Sequence, residues 1–564
     1  MVNKQGRATL PARLRVAVLA EGTELSHWHR LVLDALQVGG DVELVALIVD
    51  GSSVGSSGLV GRARRLFSNR ALWRIYNNAW VARRSTAIQR VDCADLFDGV
   101  ERLDVVPRRV GRWSQHFSPD DIARVRSLDL DVMLRFGFGI LRGDILDSAR
   151  HGIWSFHHDD ERVIRGGPPS FWEVADELPT TGVLLQRLTE RLDAGVPLAR
   201  ATVRTVGYSY PRNRDRAALA AHVLPARVAR AVRHGWVDTD RLPAATSDAP
   251  VRRDPTNGQM VRFALEQSVR AVRARVTGVA IGARWGIGVG PSIGPVTPTV
   301  VPDLEWLPER SGGYYADPFP GRRDGVDAVV VEEFDERSGR GVISAIRREQ
   351  DGWKVDSNVL DTDEHASYPF LLETDGALYC IPETAQGGRV SAWRCERFPD
   401  VWVDRRTILD EPVVDPTIVE FDGRWWLFGA LRGIDANSHL HLWSAPAWDG
   451  PWTPHPLNPV KIDVGSARPA GTPFIIDGVL YRPAQDCSHG YGGAVVINRV
   501  DRLDDTGFDE TVVETVEIDP SIYDAGNHTL SFGGATVAVD GKRTVVDLHR
   551  SRRELVARLR RIAR

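Results

Sequence analysis

The spacing of apolar residues changes character along the chain. Val16-Ala17-Val18-Leu19-Ala20 is a continuous apolar run, the pattern of a strand buried on both faces. Ser26 then precedes apolar positions Trp28, Leu31, Leu33, Leu36 and Val38, which predict a helix capped by Ser26. Val42 to Val49 predicts a second strand. This strand–helix–strand opening predicts a doubly wound α/β sheet. It lacks Gly-x-Gly-x-x-Gly, which argues against nicotinamide binding. Further strands are predicted near Leu103 to Val106, Asp131 to Phe136, Ile153 to Phe156 and Thr181 to Leu188. Ser118-Pro119 reads as a helix start, and Ser170 as the cap of a helix from Phe171. Arg62 to Arg90 reads as a basic amphipathic helix, more often a solvated face with a core stripe than a membrane contact. From about Pro211 to Val276 the pattern is helical, broken at Pro243 and Pro250. The helix from Asn257 carries Met260, Phe263, Leu265, Val269 and Val272 near one face.

From Trp285 onward short strands and Asp-Gly turns dominate, and a repeat emerges. Its members are Tyr315-Ala316-Asp317-Pro318-Phe319, Ser367-Tyr368-Pro369-Phe370, Val414-Asp415-Pro416-Thr417 and Gly471-Thr472-Pro473-Phe474, with a weaker Gly526-Asn527-His528-Thr529. The spacings are 51, 47, 57 and 56 residues. A period near 50 with about four strands per unit predicts a propeller blade, and five copies predict five blades. Trp285 to Val289 is a candidate closing strand for the last blade. The expected organisation is a tail (1–13), an α/β doubly wound domain (14–207), a helical linker (208–284), a five-bladed β-propeller (285–550) and a basic C-terminal helix (551–564).

Composition narrows the function classes. The chain has 564 residues, 43% hydrophobic and 26% charged, as in ordinary globular protein. A net charge of -4 favours neither nucleic acid nor a membrane surface. Four cysteines without a Cys-x-x-Cys pair argue against zinc and against a disulfide scaffold. No apolar run reaches ~18 residues, so no spanning helix is expected. A cytoplasmic enzyme without a bound metal is the expectation.

The densest chemistry lies in Ile153 to Val174. A short strand delivers His157, His158 and Asp159, then breaks into Arg165-Gly166-Gly167-Pro168-Pro169. A strand ending in histidine before a Gly/Pro loop presents a general base at its tip; chance histidines on a surface loop are the plainer alternative. In the second half Asp317, Glu332, Glu333, Glu383 and Asp415 stand near blade starts or strand ends and can converge on a central channel. Paired carboxylates are what glycoside hydrolysis requires. Arg468, Gln485 and His528 can complete a polar pocket for a sugar or phosphate. The competing reading makes the Asp-Pro and Asn-His pairs turn and blade-packing devices.

The Ile153 to Val174 stretch resembles the active-site segment of the folate-dependent formyltransferases. That family reads Asn-x-His, then a loop ending in Arg-Gly, then Pro before a helix; Ser155, His157, Arg165, Gly166 and Pro169 fall in register. Thr181-Gly182-Val183 and Leu192-Asp193-Ala194-Gly195 follow at the family's spacing. The resemblance implies 10-formyltetrahydrofolate as formyl donor. It implies His157 as the catalytic imidazole, Asp193 as its carboxylate, and Ser155 where the family has an amide donor. His158, Asp159, Arg165 and Gly166 fall on the amine-substrate side. Phe136, Gly137, Phe138, Gly139, Ile140 and Leu141 take the place of the folate pocket, with backbone hydrogen bonds to the pterin. The second half resembles the five-bladed propellers of glycoside hydrolase clans and the N-terminal domain of the glucosamine inositolphosphorylceramide transferases. By their positions in the repeats, Asp317, Glu333, Glu383, Asp415, Arg468, Gln485 and His528 are the expected residues of a sugar site there. The expectation is a formyltransferase acting on an amine, an amino sugar or glycan precursor, joined to a carbohydrate-binding propeller. Two alternatives stand beside it: a glycosidase or transglycosidase propeller with a non-catalytic N-terminal half, and a glycan-binding module throughout.

Overall fold

The computed structural model describes residues 12–52, 68–111, 113–191, 194–292, 304–350, 352–360, 362–433 and 435–546. The predicted N-terminal tail, all but two residues, and the predicted C-terminal helix lie outside them. The chain forms two compact units, Met1–Ala271 and Val272–Arg564.

The first unit is built on one seven-stranded sheet. Its strands are β1 Leu14–Ala20, β2 Val42–Asp50, β3 Glu101–Val105, β4 Val132–Arg135, β5 Ile153–His157, β6 Thr180–Arg187 and β7 Val196–Arg204. They lie in the order β7-β6-β5-β4-β1-β2-β3. The five strands from β5 to β3 are parallel, and β6 and β7 extend the sheet in antiparallel fashion. The chain winds outward from β1 to β3, then returns to lay β4 on the other side of β1. The strand order thus reverses between β1 and β4, the place beyond whose carboxyl ends ligands bind in such sheets.

Local chemistry explains these elements. The helix Pro119–Ser127 starts where Ser118 accepts the Asp121 N–H at 3.1 Å, with Pro119 at its first position and Asp120 and Asp121 in its first turn. Its Ile122 and Val125 pack on Ala17, Leu19, Met133 and Ile153. Ser26 precedes the helix His27–Gly39 but makes no side-chain cap bond. Ser170 is not a cap either. It is buried in the left-handed region at φ 55°, and its hydroxyl donates to the His158 carbonyl at 3.3 Å; the four-residue helix begins at Trp172. The basic stretch folds as Ala71–Ile75, a π turn Tyr76–Val81 and Ala82–Arg84; it buries Trp73 and Val81 and leaves Leu72, Ile75 and Trp80 exposed. In the helix Asn257–Ala280 only Met260 and Phe263 of the expected stripe are buried; Leu265, Val269 and Val272 are exposed.

Gly182 in β6 has a steric reason. A Cβ there would meet the Asp160 Cβ at 2.7 Å and the Asp160 N at 2.8 Å. Backbone cannot yield cheaply, so Gly182→Ala is expected to lower unfolding free energy by about 1–3 kcal/mol in urea titration.

Among the described residues, the second unit contains five antiparallel sheets. Four follow the chain in simple meanders, starting with Gly313–Arg323, Ser367–Thr374, Val413–Phe421 and Phe474–Ile476. The fifth joins distant segments, Leu530–Gly533, Thr536–Val546, Ile281–Pro291 and Glu305–Trp306, in that order. Ile281–Pro291 pairs with Thr536–Val546 along its whole length, so the stretch around Trp285 does close the last sheet. Asp324-Gly325, Asp375-Gly376, Asp422-Gly423 and Asp477-Gly478 turn the first hairpin of the other four, both residues of each at positive φ as two-residue hairpins prefer.

The repeated X-Pro pairs mark a shared distortion. Asp317, Tyr368 and Asp415 have φ of 50°, 46° and 51°, and the first strand slips register at each. The slip takes a backbone N–H out of the ladder, and a buried N–H needs a new acceptor. A carboxylate supplies it in each case. Asp317 N–H donates to Asp540 Oδ2 at 3.2 Å, Tyr368 N–H to Asp317 Oδ2 at 3.1 Å, and Asp415 N–H to Glu383 Oε2 at 3.2 Å.

Candidate functional site

The first candidate site lies where the strand order of the first unit reverses. Alternation along β5 puts Ser155 and His157 on one face and Phe156 and His158 on the other. Ser155 is buried opposite Arg135 of β4 and Gln186 of β6. Arg135 Nη1 donates to Ser155 Oγ at 3.0 Å, and its Nη2 donates to the Phe138 and Gly139 carbonyls at 3.0 and 2.9 Å. Burial pushes the Arg135 pKa down. The loop it holds is braced elsewhere. The Leu19 carbonyl accepts the Phe136 and Gly137 N–H groups, Trp113 accepts that of Ile140, and Gln115 that of Gly139. Ile140 and Leu141 continue into a short strand beside Ser114–His116. Four N–H groups and two carbonyls expected to face a pterin are thus used within the protein. Phe138, at φ 69°, stacks on Phe117.

His157 Nε2 lies 3.9 Å from Asp159 Oδ2. Asp159 is 1% exposed, and its Oδ1 accepts the Ser170 N–H at 3.0 Å. Glu173 is buried beside it. Burial and the Glu173 charge raise Asp159, and burial raises Glu173 to about 8, so at neutral pH the pair retains a proton. Asp159 is therefore the carboxylate seen beside His157. Asp193 lies outside the described residues.

His158, expected on the amine-substrate side, packs its ring among aromatic rings. It sits against Trp28 and Phe156 with ring centroids 5.0 and 6.0 Å away. Burial, Arg214 and His157 push it down to about 3, so it is neutral. His29, stacked on Phe136 at 4.1 Å, is likewise held near about 3 by burial, His158 and Arg90. Arg165 is a tie: its Nε donates to the Ala249 carbonyl at 2.8 Å. Gly166 is needed because a Cβ would fall 2.1 Å from the Arg252 carbonyl oxygen.

The second candidate site is the polar centre of the second unit. Asp317 Oδ1 accepts the Thr529 hydroxyl at 2.8 Å and lies 3.6 Å from His528 Nε2. His528 Nδ1 is paired with Asp540, and its ring stacks on Trp285 at 3.8 Å. Burial opposes the imidazolium, yet Asp540 and Asp317 outweigh it and raise the His528 pKa. Arg468 grips Asp415 through Nε and Nη2, and Gln485 Nε2 donates to Asp415 Oδ2 at 3.3 Å. Tyr491, 39% exposed, lies over Arg468 with its ring 4.8 Å from the guanidinium. Asp317 and Asp415 are only 5% and 3% exposed and are engaged in these bonds. Glu333 points elsewhere, to Arg310 and Ser344. Its neighbour Glu332 joins the cluster instead, raised by burial and by Asp317, Glu383, Asp415 and Asp540. Asp540 and Tyr491 carried no signal in the repeat. Asp317, His528 and Asp540 are the one trio among the described residues whose ligand atoms lie within 4.8 Å of one another; His528 and Asp540 already satisfy each other there.

Burial, then Asp415, raise Glu383 to about 8, while Arg468 opposes. A raised carboxyl stabilises the fold below its ordinary range and loses that contribution as pH climbs to the raised value. Unfolding free energy should fall between about pH 5 and 8 by up to ~1.4 kcal/mol per pH unit. Glu383→Gln should flatten that slope in urea titrations at several pH values.

Residues 311–527 match the family described as glucosamine inositolphosphorylceramide transferase 1, N-terminal. Glucosamine inositolphosphorylceramide transferase 1 of Oryza sativa subsp. japonica is 32% identical over 227 residues, 38% of this chain and 30% of that protein. Methionyl-tRNA formyltransferase of Agathobacter rectalis is 34% identical over 85 residues, 15% of this chain and 27% of that protein. The crystal structure of a thermostable family-43 glycoside hydrolase aligns with 42% of this chain and 87% of its own, at 13% identity and a TM-score of 0.32. The chain thus spans less than a third of either curated relative, and it is similar to transferases of two kinds.

Proposed function

We propose that the first unit transfers a formyl group from 10-formyltetrahydrofolate to the amine of an amino sugar or related glycan precursor, and that the second is a five-bladed propeller that recognises carbohydrate. One observation carries the reading: Ser155, His157 and Asp159 stand together at the tip of β5, beside the point where the strand order reverses. The likeness to methionyl-tRNA formyltransferase supports the chemistry, and the likeness to a glucosamine inositolphosphorylceramide transferase supports an amino-sugar context. His157 takes the proton of the attacking amine, with Asp159 beside it. Free, buried cysteines fit the cytoplasm as its location, and no helix among the described residues is long and apolar enough to cross a membrane. The test is mass spectrometry of amino sugars incubated with the protein and 10-formyltetrahydrofolate. An N-formyl product is expected; unchanged amines across the panel would refute the reading.

A second reading draws on Asp317 and Glu383, raised to about 6 and about 8 by burial first. Glycoside hydrolysis needs a carboxyl that keeps its proton near neutrality. Release of phenol from aryl glycosides, lost in Glu383→Gln, would support a glycosidase.

A further inference from the structure

Arg135 is a half-buried cation with no carboxylate bonded to it among the described residues. Its donors go to one hydroxyl and two carbonyls, and its buried Nε–H has no hydrogen-bond partner among the described residues. Buried arginines are as a rule paired with acids. Holding this one by neutral acceptors points to a use for the charge, and the hydroxyl it touches is Ser155.

A serine hydroxyl has one proton to give and two lone pairs. The Nη1 donor occupies a lone pair, which leaves the proton free to be donated. A charged donor on the oxygen polarises the O–H bond and strengthens what it donates. Ser155 shares its face of β5 with His157, the proposed base. We propose that Arg135 and Ser155 form one donor unit for the oxyanion of acyl transfer, with Ser155 giving the hydrogen bond and Arg135 polarising and positioning it. The inference rests on the formyl-transfer reading. In that step the amine nitrogen bonds to the formyl carbon, and the carbonyl π pair moves onto oxygen to make the oxyanion. His157 takes the amine proton. The oxyanion then collapses, the bond from carbon to the folate N10 breaks, and His157 returns the proton to that nitrogen. The products are the N-formyl amine and tetrahydrofolate.

The experiment is a double-mutant cycle on the full chain, with kcat and KM measured for formyl transfer to an amino sugar. Ser155→Ala is expected to lower kcat by about 10²-fold, in the range for loss of one oxyanion donor. Ser155→Asn, which restores an amide donor, should stay within about threefold of the unaltered chain. Arg135→Met should lower kcat by about 30-fold with KM nearly unchanged, yet by less than about threefold in the Ser155→Asn background, because the amide needs no polarising partner. Arg135→Lys, which keeps the charge, should recover part of the loss and serves if the methionine variant does not fold. Equal losses in both backgrounds, or full activity in Ser155→Ala, would overturn the inference while leaving formyl transfer intact. No transfer by the unaltered chain would remove the reading beneath it as well.

Discussion

His157→Ala is expected to lower formyl transfer by about 10²–10⁴-fold, the usual contribution of a positioned general base. The protein should stay folded, because His157 sits at a strand tip with its side chain 18% exposed. Its carboxylate neighbour gives a second readout. Asp159→Asn replaces the carboxyl group beside His157 with an amide while keeping an acceptor for the Ser170 N–H. It should lower kcat and shift the pH profile, whereas a purely structural Asp159 would change stability alone. Full activity in His157→Ala would end the proposed mechanism.

Asp540→Ala is expected to give the largest loss of stability. The side chain is fully buried, and it accepts the N–H groups of His528 at 2.8 Å, Thr529 at 3.0 Å and Asp317 at 3.2 Å besides pairing with His528 Nδ1. Alanine strands all of these and leaves an imidazolium without its main partner, a loss of about 3–5 kcal/mol for a broken buried pair. Asp540→Asn, which keeps one acceptor, should cost less. The raised His528 pKa sets the pH dependence. Its stabilisation is complete below the ordinary imidazole range and fades as pH passes the raised value, so the alanine deficit should shrink in alkaline solution. Equal stability of Asp540→Ala and the unaltered chain in urea titration would show that the polar centre does not hold the unit together.

Much of the architecture was legible because it rests on local patterns. The continuous apolar run of β1 needs two buried faces, and the Asp-Gly pairs allow little but a tight hairpin. Ser155 and His157 could be placed on one face because strand alternation is strict. The companions of these residues could not be read. Asp159 meets Glu173 only because a Gly/Pro loop folds back, and Arg135 looks like any strand residue until the loop after it is seen to wrap its guanidinium. Asp540-Gly541 carries the same signature as the four hairpin turns, yet lies inside the strand Thr536–Val546. The helix from Asn257 has apolar residues on two faces, and tertiary packing chose Met260 and Phe263. The X-Pro repeat was visible, but not that it releases N–H groups for carboxylates to bind, which turns Asp317 and Asp415 into interior ties.

The long pairing of Ile281–Pro291 with Thr536–Val546 also governs when the second unit can form. On the ribosome, Ile281–Pro291 emerges long before its partner and waits with its edge open while four sheets are made. Such an edge invites pairing with other chains, and contacts this distant in sequence form slowly. Newly made protein should therefore depend on chaperones until the last strand arrives, and chains ending before Thr536 should accumulate as aggregates.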